Sequence, residues 1–307
     1  MDNYHKYFPI SDEEKNWGLC VLNAGCTKVQ PFTSYPIKIH PSHHHFSWQN
    51  GRTLQEYQII YITHGEGFFE SNNCKEQFVE KGTVIMLFPG EWHRYKPNEQ
   101  TGWDEYWVGV SGPIIDNLLL KQFFKQDRPL QKVGYDDVLV RLFTEIIDHS
   151  KQEKPGFQSI ISGAVLHLLG NLFAKSKESD FEHQDIDIIS QAKTLFRMNV
   201  GNKFSPEDVA EELQVGYSWF RKTFKTHTGM APGQYFIDLK IQRAKEMLCE
   251  PYSSVKRIAY DLKFDSVFYF SKIFKGKTGV TPIKFKNQFS ERKNQLITDK
   301  EESSLLL

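Results

Sequence analysis

The chain offers little sulfur chemistry. Its four cysteines, Cys20, Cys26, Cys74 and Cys249, form no C-x-x-C pair and no metal-ligand spacing, which argues against a zinc ribbon or a disulfide-stapled secreted fold. Net charge is also lacking, with 38 Lys and Arg against 38 Asp and Glu in 307 residues. No hydrophobic run approaches the ~20 residues that cross a bilayer. Met1 to Asn16 is polar and charged, without the apolar segment of a secretion signal. The expectation is a cytoplasmic protein with no membrane partner and no cofactor. What is present is apolar: 39% of residues are hydrophobic and 14% aromatic, enough for two cores in a chain of this length.

The chain's organising feature is a repeat. At an offset of 50, Phe220 aligns with Phe270, Phe224 with Phe274, Lys225 with Lys275, Thr228-Gly229 with Thr278-Gly279, Pro232 with Pro282 and Tyr235 with Phe285. Each copy reads as two short helices. In the first, Ser205-Pro206-Glu207-Asp208 supplies an N-cap hydroxyl, a proline at the first helical position and a carboxylate at N3. Val209, Ala210 and Leu213 follow as an apolar stripe, and a second helix starts near Tyr217. In the second copy Ser253 or Ser254 opens a helix with the stripe Ile258, Ala259 and Leu262, and Val267 to Lys277 forms the second helix. This is a helix-turn-helix written twice.

The second helix of each copy has two faces. At 3.6 residues per turn Phe220, Thr223, Phe224 and His227 share one side, and Ser218, Arg221, Lys222 and Lys225 the other. In the second copy Phe270, Ile273 and Phe274 point inward, while Val267, Phe268, Ser271, Lys272 and Lys275 point outward. A basic, hydrogen-bonding outer face on an aromatic root suits the DNA major groove, which admits one helix. Charge supports this: from Asp185 to Lys293 there are 19 Lys and Arg against 12 Asp and Glu, leaving 19 against 26 elsewhere. The neutral total conceals a basic end and an acidic end, as expected when one domain meets phosphates.

Phe204 to Lys286 resembles the DNA-binding domain of the AraC/XylS family of bacterial transcription regulators, most closely at Ile258-Ala259, Phe264, Tyr269-Phe270-Ser271-Lys272, Phe274-Lys275 and Thr278-Gly279-Val280-Thr281-Pro282. The resemblance implies one long helix, about Pro232 to Cys249, holding two recognition helices in adjacent major grooves roughly 34 Å apart. It also implies double-stranded DNA as partner, with Ser218, Arg221, Lys222, Lys225, Lys256, Arg257, Val267, Phe268, Ser271, Lys272 and Lys275 on the DNA side. Where the family usually has glycine in each turn, this chain has Gln214 and Lys263. A non-glycine residue in a left-handed conformation costs roughly 1 kcal/mol.

The N-terminal half reads as β-structure. Gln58 to Ile62, Phe68 to Glu70, Gln77 to Glu80, Thr83 to Phe88 and Trp103 to Val110 are short β-rich runs separated by Gly65-Glu66-Gly67, Asn72-Asn73, Lys81-Gly82 and Pro89-Gly90. Such punctuation indicates a small antiparallel barrel or jelly roll. After Pro89-Gly90, His93 and Tyr95 alternate onto one face, with Trp107 on the next strand. One imidazole, one phenol and one indole at a barrel mouth form a plausible carbohydrate site; an aromatic core is the competing account of each. The segment is similar to a cupin barrel and to the sugar-binding effector domain of this family, which implies ligand roles for His93, Tyr95 and Trp107. An arginine ahead of the barrel has that role there, and Arg52 is the candidate.

Two further functional readings stay open. His43-x-His45 with His93 could hold a metal in a cupin enzyme fused to a DNA module, although the next acid, Glu56, is eleven residues on. Alternatively the barrel senses no ligand and answers to a protein partner.

From Ile114 the period becomes helical. Asp116 to Phe124 is one short helix, and Val138, Leu139, Leu142, Phe143, Ile146 and Ile147 mark another. A third, Phe157 to Lys175, carries Ile161, Val165, Leu168 and Leu172 at coiled-coil spacing. That seam either closes the barrel or meets a second copy; the family resemblance implies a homodimer, and we expect the second. The expected layout is multidomain α+β: an arm over 1–16, a cupin-like barrel with dimerisation helices over 17–175, a linker over 176–184, an all-α double helix-turn-helix domain over 185–290 and a frayed tail over 291–307. The expected function is a non-enzymatic transcription regulator sensing a small molecule, with a sugar or sugar derivative as the expected class. Activation, through RNA polymerase, is the commoner behaviour in the family.

Overall fold

The computed structural model describes residues 3–36, 47–178, 183–250 and 253–289. It divides into two compact units, Met1–Asp180 and Phe181–Leu307. His40, His43, His44 and His45, and the expected tail, lie outside the described residues.

The first unit is an antiparallel sheet with strand order β1-β2-β8-β4-β6-β9. Its members are β1 (Tyr4–Tyr7), β2 (Cys20–Val29), β8 (Trp103–Ser111), β4 (Tyr57–Ser71), β6 (Thr83–Leu87) and β9 (Leu130–Lys132). The long β4 belongs to two layers. Its first half pairs with β6 and β8, and its second half pairs with β5 (Cys74–Glu80) and β7 (Trp92–Pro97). The two-residue β3 (Arg52–Thr53) adds to the outer edge of β7. Alternation along β4 then sorts two cores. Ile59 and Tyr61 face a cluster shared with the helices, while Ile60 and Ile62 face an interior cluster with Phe69, Tyr95, Trp103 and Trp107.

Four expectations for this unit need correction. Residues 4–7 are not a separate arm: β1 pairs with β2 from Tyr4↔Cys26 to Tyr7↔Asn23, and Phe8 is buried in the helix-side core. The helix expected at Asp116 is α2 (Pro113–Leu120), started by its proline, with the short α1 (Asp12–Asn16) earlier in the chain. The seam Ile161, Val165, Leu168 and Leu172 belongs to α4 (Phe157–Glu178) and is buried in a core of this chain's own, where α4 packs on β2 and α3 (Asp137–Gln152). By length and composition the stretch Phe157–Lys177 could cross a membrane, contrary to the sequence reading. Its residues Ile161, Val165, Leu168, Leu169 and Leu172 are buried in the helix-side core of this unit.

In the second unit α5 (His183–Met198) opens the fold, so helix occupies part of the span expected as linker, as does the end of α4. The two helix-turn-helix units are α6 (Pro206–Glu212) with α7 (Tyr217–Thr228), and α9 (Val255–Asp261) with α10 (Val267–Thr278). Ser205 and Asp208 form the expected capping box; Ser254 is the N-cap of α9, without a side-chain bond. Between the copies α8 (Pro232–Leu248) places Phe236 in the first core and Ile241, Ala244 and Leu248 in the second. One helix therefore contributes side chains to both cores. Lys240 is buried on it, its ammonium 4.7 Å from the Phe236 ring and 5.7 Å from that of Phe264. A last helical run covers 282–289.

Candidate ligand site and nucleic-acid interface

The barrel-side candidates meet around Arg52. Because β3 pairs with β7, Arg52 stands opposite His93, and its Nε donates to His93 Nε2 at 3.3 Å. An Nη2 hydrogen goes to the Tyr95 hydroxyl at 2.6 Å. His93 Nδ1 lies 3.0 Å from the Glu91 carbonyl oxygen. That carbonyl can only accept, so Nδ1 carries the proton and Nε2 is left as the acceptor Arg52 requires. Burial, with the neighbouring guanidinium, pushes the His93 pKa down to about 4. A neutral ring is what this network needs.

The strap that carries Arg52 is tied to the opposite face of the same strand. Arg94 alternates with His93 and Tyr95 on β7 and lies outward. Its guanidinium stacks 4.4 Å from the Trp48 ring, donates to the Trp48 carbonyl at 3.0 Å and pairs with Glu70. Trp92 Nε1 donates to the Asn50 carbonyl at 2.8 Å. Both tethers hold residues 48–50, so the position of Arg52 is set from outside the barrel.

Trp107 belongs to the same interior cluster as Tyr95 and Trp103. Its ring lies over Gly25, directly across β2, where a Cβ would overlap the indole. Glycine is therefore required there for close approach.

Four interior groups escaped the sequence reading: Tyr7, Tyr35, Trp103 and Glu105. The Tyr35 hydroxyl lies 3.2 and 3.3 Å from the two Glu105 carboxyl oxygens. Its ring packs 6.0 Å from Tyr95 and edge-on to Trp103 at 5.8 Å. Glu105 is buried, and desolvation raises its pKa to about 8, against the opposing effects of the Tyr35 hydroxyl and the Arg52 charge. Tyr7, on β1, is held protonated by burial, with Arg52, Tyr95 and Glu56 as electrostatic neighbours. Period two could have found Glu105, since Trp103, Glu105 and Trp107 occupy alternate positions of β8 and are all buried. Tyr35 gave no such signal, lying outside any strand.

Among the described residues, the interior thus combines the Arg52 guanidinium, the Glu105 carboxyl group, phenols and indole rings. Polar atoms that fix hydroxyls beside flat rings that cover C–H surfaces suit a small polyhydroxylated ligand. The metal reading rests on His43 and His45, which lie outside the described residues. Among the described residues there is no group of three His, Cys, Asp or Glu side chains placed to hold a metal.

On the second unit Phe220 and Phe224 of α7, and Phe270 and Phe274 of α10, are fully buried. Their opposite faces carry Ser218, Arg221, Lys222 and Lys225, then Val267, Phe268, Lys272 and Lys275, all exposed, with Ser271 half-buried. Phe268 is 80% exposed, which has no packing rationale within the unit. Lys256 and Arg257 are exposed at the start of α9, Arg257 pairing with Asp261 at 3.5 Å.

Gln214 and Lys263 adopt φ of 55° and 53°, the left-handed turn expected at both. The second turn is one residue longer. Leu213, Gln214 and Val215 lead to the N-cap Gly216, whereas Leu262, Lys263, Phe264 and Asp265 lead to Ser266. Ser266 accepts from the Tyr269 backbone N–H, a bond Gly216 cannot make.

Residues 32–169 match the family described as AraC-like ligand binding domain, and residues 209–288 match a Helix-turn-helix domain. The raffinose operon transcriptional regulatory protein RafR of Pediococcus pentosaceus is 22% identical over 241 residues, covering 77% of this chain and 87% of its own length. The lactose operon transcription activator of Staphylococcus xylosus is 23% identical over 252 residues, 80% of this chain and 89% of that protein. An HTH-type transcriptional regulator from the cgkA 5' region of Pseudoalteromonas carrageenovora is 32% identical over 119 residues, 38% of this chain and 70% of that protein.

Proposed function

Because this chain belongs to the AraC family of DNA-binding transcription regulators, with a ligand-binding domain ahead of its helix-turn-helix units, we propose that it is a cytoplasmic, sugar-responsive activator. The observation that carries the sugar reading is the Arg52–His93–Tyr95 network facing a cluster of buried aromatic rings. Two relatives named for raffinose and lactose operons support it, and the second, named an activator, supports the sign. His93, Tyr95, Trp107 and Arg52 contact the effector. Ser218, Arg221, Lys222, Ser271 and Lys272 read bases or phosphates, Val267 and Phe268 meet thymine methyls, and Lys225, Lys256, Arg257 and Lys275 sit on phosphates. The chain binds rather than catalyses, with RNA polymerase as the partner when bound at a promoter.

The proposal includes a homodimer, with a different face of α4 from the one the sequence suggested. Ile160, Gly163, His167, Gly170 and Ala174 recur at spacings of three and four and are exposed, with Leu166 beside them. Gly163 and Gly170 have open space where a side chain would stand, which permits close approach of a second helix.

Thermal unfolding of the full chain against lactose, raffinose, glucose and galactose, and separately divalent metals, tests the effector class. A ligand at about 100 times its Kd stabilises by roughly 2.7 kcal/mol. We expect a rise of several degrees with one sugar, lost in Trp107→Ala. A response to metal alone would favour the enzyme reading, and no response to either would favour a protein partner.

A further inference from the structure

Glu105 is assigned no ligand contact above, yet it occupies the centre of the interior face of β8, between Trp103 and Trp107. Its strand neighbours there are Thr27 on β2 and Ile62 on β4, neither of which carries charge. Tyr35 caps both carboxyl oxygens from one side, at distances long for O–H···O bonds. Tyr35 has one proton to donate and the Trp103 indole, the other hydrogen-bonding neighbour of this group, has one N–H; a carboxyl group offers about four lone-pair sites, so acceptor capacity remains.

We infer that Glu105 is an effector-contacting residue that reads the configuration of ligand hydroxyls, working opposite Arg52 with Tyr35 as its positioning partner. The inference rests on the sugar-sensor reading and specifies how the barrel discriminates among sugars. A hydroxyl both donates and accepts. A guanidinium can only donate, so Arg52 satisfies the acceptor side of a ligand hydroxyl, and a carboxyl group supplies the complementary acceptor. The indole of Trp107, two residues along the same face, covers the C–H surface of the same sugar, while Trp103 is already stacked on Tyr95 and met edge-on by Tyr35. Epimers that turn one hydroxyl away from Glu105 leave a buried polar group unpaired, and sites built on such bonds reject them strongly.

The test is a cycle between protein and ligand on the full chain. Sugar affinity is measured by thermal shift or calorimetry for the wild type, Glu105→Ala, Glu105→Gln and Tyr35→Phe. The probes are lactose, raffinose, glucose and galactose, then the monodeoxy analogues and epimers of whichever sugar binds. Glu105→Ala is expected to weaken that sugar at least about tenfold. One deoxy analogue, weak on the wild type, should lose nothing further on Glu105→Ala, which identifies the hydroxyl that Glu105 touches. Glu105→Gln, which can still accept, should keep a larger share of the affinity, with Tyr35→Phe in between. The ligand-free melting of each variant shows that it is folded. Wild-type ranking of all analogues on a folded Glu105→Ala would overturn the inference and leave the sugar reading intact. No response of the wild type to any sugar would overturn both.

Discussion

Arg52 and Tyr95 are 43 positions apart, yet Arg52 Nη2 donates to the Tyr95 hydroxyl oxygen across 2.6 Å and the guanidinium carbon lies 5.5 Å from the ring centroid. The arginine therefore both donates to the phenol and covers its face. It is held this way before any ligand arrives, which reduces the ordering cost of binding.

Arg52→Ala is expected to weaken the sugar response at least about tenfold, since hydrogen bonds from a charged group are worth about 1.5 to 3 kcal/mol. Arg52→Lys should recover little, because an ammonium cannot reproduce the fork. Arg94→Ala should lower sugar affinity more modestly by releasing residues 48–50, without removing an interior contact. Calorimetry on the three variants checks the order; an Arg94→Ala loss as large as that of Arg52→Ala would contradict it.

The pH dependence of stability should carry the mark of Glu105. Its proton is held more tightly folded, up to about 8, than in the unfolded chain near 4.5. The stabilisation is fully present below the unfolded value and is lost as pH rises towards the folded one. Glu105→Gln cannot ionise, so its melting temperature should gain on the wild type between pH 5 and pH 8. His93 works in the opposite sense, losing stability as pH falls from 6.5 to about 4, and it is common to both proteins. A difference in melting temperature independent of pH would contradict the assignment.

On the DNA side, Arg221→Ala and Lys272→Ala should each cost about 1 to 3 kcal/mol on the preferred site if the residue reads a base, and should relax preference at one position. Lys225→Ala and Lys275→Ala should weaken all sequences alike and reduce the salt slope by about 1 each. Binding titrations at several salt concentrations distinguish the two classes.

The left-handed turns give a stability prediction independent of function. Gln214→Gly and Lys263→Gly should each stabilise the helical unit by up to about 1 kcal/mol, because glycine removes the left-handed penalty. The gain at Lys263 should be smaller, since its ammonium lies 4.6 Å from the Tyr260 ring. Chemical denaturation measures both.

For the dimer, Leu166→Glu should yield a monomer by sedimentation while leaving the barrel folded, since Leu166 is 38% exposed within the chain. Changing Leu168 instead should damage the barrel itself, because that residue is fully buried.

Legibility in the sequence followed the range of the interactions. The helical unit was readable because its signals are local: Ser205 and Asp208 three residues apart, left-handed Gln214 and Lys263 after their apolar stripes, and Gly229 and Gly279 closing α7 and α10 with φ near 80°. The repeat even hid a change, since an extra residue before Ser266 moves the offset from 49 in the first helices to 50 in the second. The barrel was half readable. Strand alternation placed His93 and Tyr95 on one face, but β4 serving two layers is a non-local outcome that no short window contains. The seam of α4 was misassigned for a related reason: Ile161 and Leu168 have the same spacing whether they cover a barrel or a second helix. Only the barrel's surface decides which apolar face is used. Tyr35 reaches Glu105 across 70 positions, beyond any periodicity.

In a sugar-responsive regulator, sugar occupancy and DNA binding are coupled. The most direct measurement is the affinity of the full-length protein for DNA enriched from a random pool, with and without the sugar that raises its melting temperature. The enriched site is expected to carry two contacts about one helical turn apart. The sugar is expected to change DNA affinity by some factor, and DNA to change sugar affinity by the same factor, as linkage requires. An enriched site bound equally with and without the sugar would contradict this coupling.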